Sequence, residues 1–260
     1  MEQRMRLTFI GSGSAFTTDG NYHSNMLLES KRSGSKLLLD CGSDARRSLA
    51  ERGLGHADID AVYISHLHAD HVGGLEWLGF RRKFDAACSR PKLYIGRPLV
   101  HDLWTHTLSG GMSSLQGEQA RLDTFFDVEA IEDNGGFTWE DLYFRLVQTI
   151  HIMDGFYLAP SFGLLFEINS TRIFLTTDTQ FAPEHLGKIY EQADIIFHDC
   201  ETADAPSGVH AHYDKLKTLP DRYKRKMWLY HYQPGPLPDA TSDGFKGFVE
   251  KGQAFDFNHK

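Results

Sequence analysis

Residues 65–74 read Ser-His-Leu-His-Ala-Asp-His-Val-Gly-Gly, so three imidazoles and one carboxylate (His66, His68, Asp70 and His71) fall within six positions. Few folds can use such a run, because polar groups this dense are expensive to bury unless each has a partner. The run follows Ile59 to Ile64, a short apolar stretch expected to be a buried strand. It precedes Gly74 to Lys83, which has a helical pattern. In an extended chain His66 and His68 point to the same side. Asp70 and His71 then open the helix and face the same space. Convergent N and O donors of this kind suit zinc or another first-row metal. For any one of these histidines a solvated surface position is the ordinary expectation. The HxHxDH spacing at a strand-to-helix junction, with Gly-Gly behind it, outweighs that expectation.

A metal site of this kind needs ligands from elsewhere in the chain, and strand ends are where they belong. His151 closes the expected strand Leu142 to Ile150. Asp178 follows Arg172 to Thr176, and His231 closes Met227 to Tyr230. Taken singly, His151 and His231 would be structural. Together with the first cluster they support two metal sites that share Asp178.

Around these residues the chain reads as alternating β and α segments. Further strands are expected at Met5 to Ile10, Asn25 to Glu29, Lys36 to Leu39, Lys92 to Ile95, Phe125 to Ile131, Phe162 to Ile168 and Asp194 to Phe197. Helices are expected at Ser43 to Arg52, with Ser43 as cap and Gly53 as stop, and at Pro98 to Thr107, Pro183 to Tyr190 and Tyr213 to Leu219. Leu108 to Leu122, rich in Ser and Gly, reads as a long loop and a candidate lid. Gly11 to Ser14 lacks phosphate-loop spacing and reads as a tight turn. No linker divides residues 1–260, so a single α/β domain of sheets with outer helices is expected.

Composition narrows the function. The 260 residues carry a net charge of −8, with 14 His and 3 Cys. The acidic balance disfavours a dedicated nucleic-acid binder, since phosphate contacts need clustered Lys and Arg. Three cysteines without a CxxC pair fit a reducing compartment, and Met1 to Arg6 has no apolar segment behind its charges, so a cytoplasmic protein is expected. No run of about 18 apolar residues is present to span a membrane.

Phe9 to Phe16 (FIGSGSAF), Asn25 to Gly42 ending in Leu38-Leu39-Asp40-Cys41-Gly42, the HxHxDH at His66 to His71, His151, Thr177-Asp178-Thr179 and His231 together resemble the metallo-β-lactamase fold, an αββα sandwich, in its RNase Z-like branch. The resemblance spans nearly the whole chain. It implies one divalent metal held by His66, His68, His151 and Asp178. It implies a second held by Asp70, His71, Asp178 and His231. Zn²⁺ is the implied metal, with Mn²⁺ as the alternative. It also implies a hydroxide between the ions as nucleophile, with Asp70 orienting it or accepting its proton. His210, in Gly208-Val209-His210-Ala211-His212, would protonate the leaving oxygen, although His212 contests that alignment.

The RNase Z branch grips tRNA with a basic, Gly- and Pro-rich arm, which has no counterpart in this sequence. The segments Tyr22 to Leu27, Ile64 to Trp77 and Thr107 to Gly111 are similar instead to the anti-Pycsar phosphodiesterases of phages and bacteria. That similarity implies hydrolysis of 3′,5′-cyclic nucleotides (cCMP, cUMP, cAMP or cGMP) to nucleoside monophosphates, in the host cytoplasm where the enzyme is phage-encoded. It further implies a homodimer in which a loop of one protomer closes over the other's site, for which 108–122 is the candidate. tRNA 3′-processing is the alternative. Candidate base platforms are Phe156, Tyr157 and Trp77, each weighed against ordinary core packing. Asp154 is a candidate partner for a ligand histidine, or a solvated loop residue. Cys200, beside His198, is expected to be a buried cysteine and no nucleophile. His101, His106, His185 and His259 receive no role.

Overall fold

The computed structural model describes residues 4–18 and 20–257; Met1–Gln3 and His259 lie outside the described residues. Two seven-stranded mixed sheets form the chain's centre. The first runs Ala254–Phe257, Met5–Phe9, Met26–Ser30, Lys36–Leu39, Ala61–Ile64, Lys92–Gly96 and Asp127–Ile131. Its pairings are antiparallel as far as Lys36–Leu39 and parallel beyond. The second runs Gly136–Trp139, Leu142–Gln148, Phe162–Ile168, Thr171–Leu175, Ile195–Asp199, Met227–Tyr230 and Gly247–Phe248. It repeats the scheme, antiparallel as far as Thr171–Leu175 and parallel after it. Parallel neighbours need long crossovers, and helices fill them. They include Ala45–Ala50, Leu75–Lys83 and Pro183–Gln192.

The two sheets share one apolar core. Phe9 of the first packs at 5.1 Å from Phe197 and 5.3 Å from Tyr230 of the second. Phe137 of the second lies 4.1 Å from Tyr94 and 5.6 Å from Tyr63 of the first. Ala61–Ile64 is buried at every position, the signature of a central parallel strand covered on both faces. On the outer face of the second sheet, Leu186 and Tyr190 of Pro183–Gln192 lie four residues apart on one side of the helix and pack into a second cluster with Ile196, Tyr213 and Met227.

The chain therefore has the expected α/β sandwich, with several local differences. The segment 108–122 is folded and not a loop: it contains the short helix Ser109–Met112 and the hairpin Ser114–Leu115/Glu118–Gln119, with Leu108, Met112, Ala120 and Leu122 buried in the core. The helix expected at Pro98 to Thr107 begins at Arg97 and continues in a wider π turn, Leu103–Leu108. Phe125 ends a helical turn, Leu122–Phe125, so the strand after it starts at Asp127. Ser43 does not cap the first helix, which starts at Ala45 after Asp44; Gly53, at φ 70°, does sit just past its end. Three short strands, Gly136–Trp139, Gly247–Phe248 and Ala254–Phe257, were not anticipated. Among the described residues no helix is long and apolar enough to cross a membrane.

Candidate metal centre

Five strands end at the same edge of the sandwich and deliver the polar groups there. Lys36–Leu39 leads to Asp40, Ala61–Ile64 to His66 through His71, Thr171–Leu175 to Asp178, Ile195–Asp199 ends on Asp199, and Met227–Tyr230 leads to His231. Parallel strands place functional groups at their carboxyl ends in this way. Three of the residues at these ends adopt left-handed backbone without being glycine: Asp40 at φ 60°, Thr177 at 53° and His231 at 68°. Such conformations cost roughly 1–3 kcal/mol each and persist only when the surroundings impose them. At His231 the restraint is visible. Its N–H donates to Ser12 O at 2.8 Å, and Ser14 N–H donates to Tyr232 O at 3.0 Å, so the turn Gly11 to Ser14 clamps the strand end.

Two glycines let the histidine run close against the Asp40 turn. A Cβ on Gly42 would lie 2.1 Å from Asp70 O, and one on Gly74 would lie 2.4 Å from Gly42 O. The close approach allows Cys41 N–H to donate to His71 O at 2.7 Å and Gly74 N–H to Cys41 O at 2.8 Å. Asn25 completes the frame, donating from Nδ2 to Asp70 O at 3.1 Å and accepting from Gly42 N–H.

The seven expected ligands come together as two tetrads around Asp178. His66, His68, His151 and Asp178 form one, and Asp70, His71, Asp178 and His231 the other. Within the first, His68 Nδ1 lies 3.1 Å from His66 Nε2 and 3.1 Å from His151 Nε2. Asp178 Oδ2 stands between the tetrads, 3.7 Å from His66 and His151, 3.3 Å from His71 and 3.5 Å from His231. In the second, Asp70 Oδ2 is 3.1 Å from His71 Nε2 and 3.4 Å from His231 Nε2. His71 Nε2 and Asp178 Oδ1 are buried without a hydrogen-bond partner. Buried polar atoms are rarely left so, and a cation would satisfy both. The donor set therefore fits divalent metal.

The outward-facing nitrogens fix which inward ones carry lone pairs. Asp40 Oδ2 accepts His71 Nδ1–H at 2.7 Å and Ser65 Oγ–H at 2.8 Å. With its proton committed to Asp40, Ser65 Oγ accepts from His66 Nδ1 at 3.1 Å. His151 Nδ1 donates to Val209 O at 2.8 Å. With Nδ1 committed in this way, all three histidines face the centre through Nε2, the atom left to coordinate a metal, which is the role that supporting partners play around metal ligands.

Charge divides the histidines into two groups. Burial, reinforced by His71, holds His66 well below the usual histidine range, and burial also lowers His68 and His151. Burial works against charge on His71 and His231 too, but Asp178 and its neighbouring carboxylates outweigh it and raise both well above that range. The carboxylates gain in return. Asp70 and Asp178 are held well below the carboxylate range, burial opposing and His71 and His231 prevailing.

Of the contested pair, His210 belongs to the cluster. Its ring lies 4.9 Å from that of His151 and 4.7 Å from that of His231, and its Nδ1 donates to Asp199 Oδ2 at 2.8 Å. Burial disfavours its charge, but Asp199 raises it above the histidine range. His212 has both ring nitrogens engaged elsewhere: Nε2 donates to Ala203 O at 2.9 Å and Nδ1 accepts from Asp214 N–H at the start of Tyr213–Leu216. Asp199, to which the sequence assigned no role, also faces His231 Nδ1 at 3.3 Å. Its position at the end of Ile195–Asp199 was the available signal.

Other assignments resolve individually. Asp154 is exposed on the hairpin Met153–Asp154/Tyr157–Leu158 and supports no ligand. Phe156 at that hairpin's tip is fully exposed and Tyr157 largely so, which removes core packing as their role. Trp77 is half-buried against the core. Cys200 is buried, and burial pushes its thiol up, so it is no nucleophile.

The chain is similar to known proteins in sequence and in fold. The family described as "Anti-Pycsar protein Apyc1" matches residues 5–255. A protein of that name from Paenibacillus harenae is 39% identical over 230 residues, covering 88% of this chain and 90% of the relative. Among solved structures, the metallo-beta-lactamase fold protein YhfI from Bacillus subtilis is similar with a TM-score of 0.74 at 18% identity, covering 98% of this chain and all of that one. The short form of human tRNase Z is similar with a TM-score of 0.69 at 17% identity, over 98% of this chain and all of that one. Those structures share the fold, and the sequence relationship is closer still: this chain belongs to the anti-Pycsar protein Apyc1 family.

Proposed function

We propose that the protein is a metal-dependent phosphodiesterase that hydrolyses 3′,5′-cyclic nucleotides to nucleoside monophosphates and thereby removes a Pycsar signal. The observation that carries this reading is the pair of His/Asp tetrads sharing Asp178, with His210 held on Asp199 beside them. Two ions fit, one in each tetrad, and Zn²⁺ or Mn²⁺ suits the N and O donors. When bound, such ions neutralise phosphate charge and bring a water's pKa towards neutrality.

The chain's own residues account for the rest. Asp70 stays ionised, so it can accept a hydrogen bond from the attacking water and orient it. His210 is raised towards protonation and its Nδ1 is anchored, which leaves Nε2 to protonate the departing ribose oxygen. Phe156, at the tip of the hairpin that follows His151, and Tyr157 beside it are exposed and offer aromatic faces for a base, and stacking tolerates any base. A cyclic phosphodiester carries a single charge and needs no basic groove, in keeping with the net charge of −8. A homodimer, with the exposed hairpin 114–119 reaching towards the partner's site, and a cytoplasmic location complete the proposal.

The test is a comparison of hydrolysis and binding. Wild-type protein should hydrolyse cyclic nucleotides, and Asp70→Ala and His71→Ala should abolish product formation. A protein that merely sequesters the nucleotide would bind it stoichiometrically and form no product in any of the three, which would refute the enzymatic reading.

A further inference from the structure

A second group of metal-binding side chains lies outside the centre described above. The ligand atoms of His56, Asp85 and Cys88 lie within 4.8 Å of one another, and all three residues are partly accessible. His56 Nε2 is 2.9 Å from Asp85 Oδ2, and the Cys88 thiol lies beside the pair. Ala87 N–H donates to the other oxygen, Oδ1, at 3.0 Å, and Cys88 N–H donates to Asp85 O at 2.9 Å, so the turn that carries both residues is closed on itself.

The group is assembled from two separate segments, the helical turn His56–Asp58 and the turn after Leu75–Lys83. Buried Arg82 ties them together. Its Nη1 donates to Ala57 O at 3.1 Å and to His56 O at 3.3 Å, and its Nε donates to Ser89 O at 2.8 Å. The three side chains are thus presented on a braced frame.

We propose that His56, Asp85 and Cys88 form a second metal site, of thiolate-imidazole-carboxylate type, for zinc or another thiophilic divalent cation. The chemistry selects the class of ion. Thiolate plus imidazole plus carboxylate with one open position is a zinc-like set, whereas Mn²⁺ and Mg²⁺ prefer oxygen ligands. The cation takes the place of the hydrogen now shared between His56 and Asp85, and the thiol loses its proton on binding. Cys88 is the cysteine able to do this. Cys41 and Cys200 are fully buried, with burial pushing both thiols up.

The position gives the site a structural consequence. Ala61–Ile64 and Leu75–Lys83 flank the histidine run on either side, and each spans about 13 Å. His56 precedes the first and Asp85 follows the second, so the three ligands sit at the ends of these elements opposite the histidine run. A cation there joins the far ends of the two elements that position His66 through His71.

Cobalt substitution separates this site from the His/Asp centre, because that centre contains no sulfur. Co²⁺-loaded protein should show a thiolate-to-cobalt charge-transfer band in the near-ultraviolet. Cys88→Ser and His56→Ala should each lose it while keeping the visible bands of the Co²⁺ held by the His/Asp centre. Three results would overturn the proposal: no near-ultraviolet band in the wild type, a band that survives Cys88→Ser, or a band that survives His56→Ala. The last would mean a cysteine binding metal without His56. The absorbance readout stands whether or not the protein hydrolyses cyclic nucleotides.

Discussion

Asp40 shows how one carboxylate can govern two ligands without touching the metal position. It accepts directly from His71 and, through Ser65, fixes the tautomer of His66. Asp40→Asn replaces one acceptor oxygen by a donor and frees both imidazoles to present the wrong nitrogen. Metal affinity should fall about 10–100-fold with folding retained, measured by competition with a chelating dye. His210 makes a different prediction, because the proposed function uses it for proton transfer. His210→Ala should lower kcat by about 10²–10⁴-fold, flatten the alkaline limb of the pH–rate profile, and leave metal content unchanged. The seven candidate ligands were legible because their spacing and strand-end placement constrain one another. Asp40 and Asp199 were not, because a lone aspartate after an apolar strand gains its role only from the histidine opposite it, and that pairing spans 31 residues for Asp40–His71 and 11 for Asp199–His210.

At the scale of elements, the contacts around the histidine run are close enough to leave no room for a methyl group. Gly42→Ala would place its Cβ against the Asp70 carbonyl, so the turn must shift. The expected cost is about 1–3 kcal/mol of stability, with a loss of metal affinity that the same substitution at exposed Gly110 would not cause, seen by thermal melts and metal titration of both variants. The hairpin bearing Phe156 and Tyr157 behaves oppositely. Its aromatic rings are exposed, so Phe156→Ala should leave the melting temperature unchanged and raise KM, with little change in kcat. Sequence patterning identified the apolar central strands but not Gly136–Trp139, Gly247–Phe248 or Ala254–Phe257. Those lie at sheet edges, and their partners Leu142–Gln148, Met227–Tyr230 and Met5–Phe9 define them more than their own residues do. The segment 108–122 looked loop-like because Ser and Gly hide the period. Its four buried residues, Leu108, Met112, Ala120 and Leu122, hold it on the core.

For the whole molecule, the sandwich converts two sheet edges into one charged cavity, and metal binding is coupled to its protonation. In the metal-free protein His66, His68 and His151 are held neutral, while His71 and His231 are held protonated by the carboxylates around them. An ion entering the His71–His231 tetrad must displace those protons, so its affinity should weaken as pH falls. The His66–His68–His151 tetrad has fewer protons to lose and should respond less. Titrations at about pH 6 and about pH 8 should show one of two ions becoming selectively weaker at the lower value. The overall fold was accessible from sequence through its resemblance to the metallo-β-lactamase sandwich, since that resemblance rests on motifs at six strand ends at once. The central claim concerns the reaction. Metal-loaded protein incubated with cCMP, cUMP, cAMP, cGMP and a pre-tRNA, with products identified by mass, should add one water to one or more of the cyclic nucleotides, leave the pre-tRNA intact, and lose that activity in Asp178→Asn. Cleavage of the pre-tRNA with every cyclic nucleotide untouched, or no product at all, would contradict it.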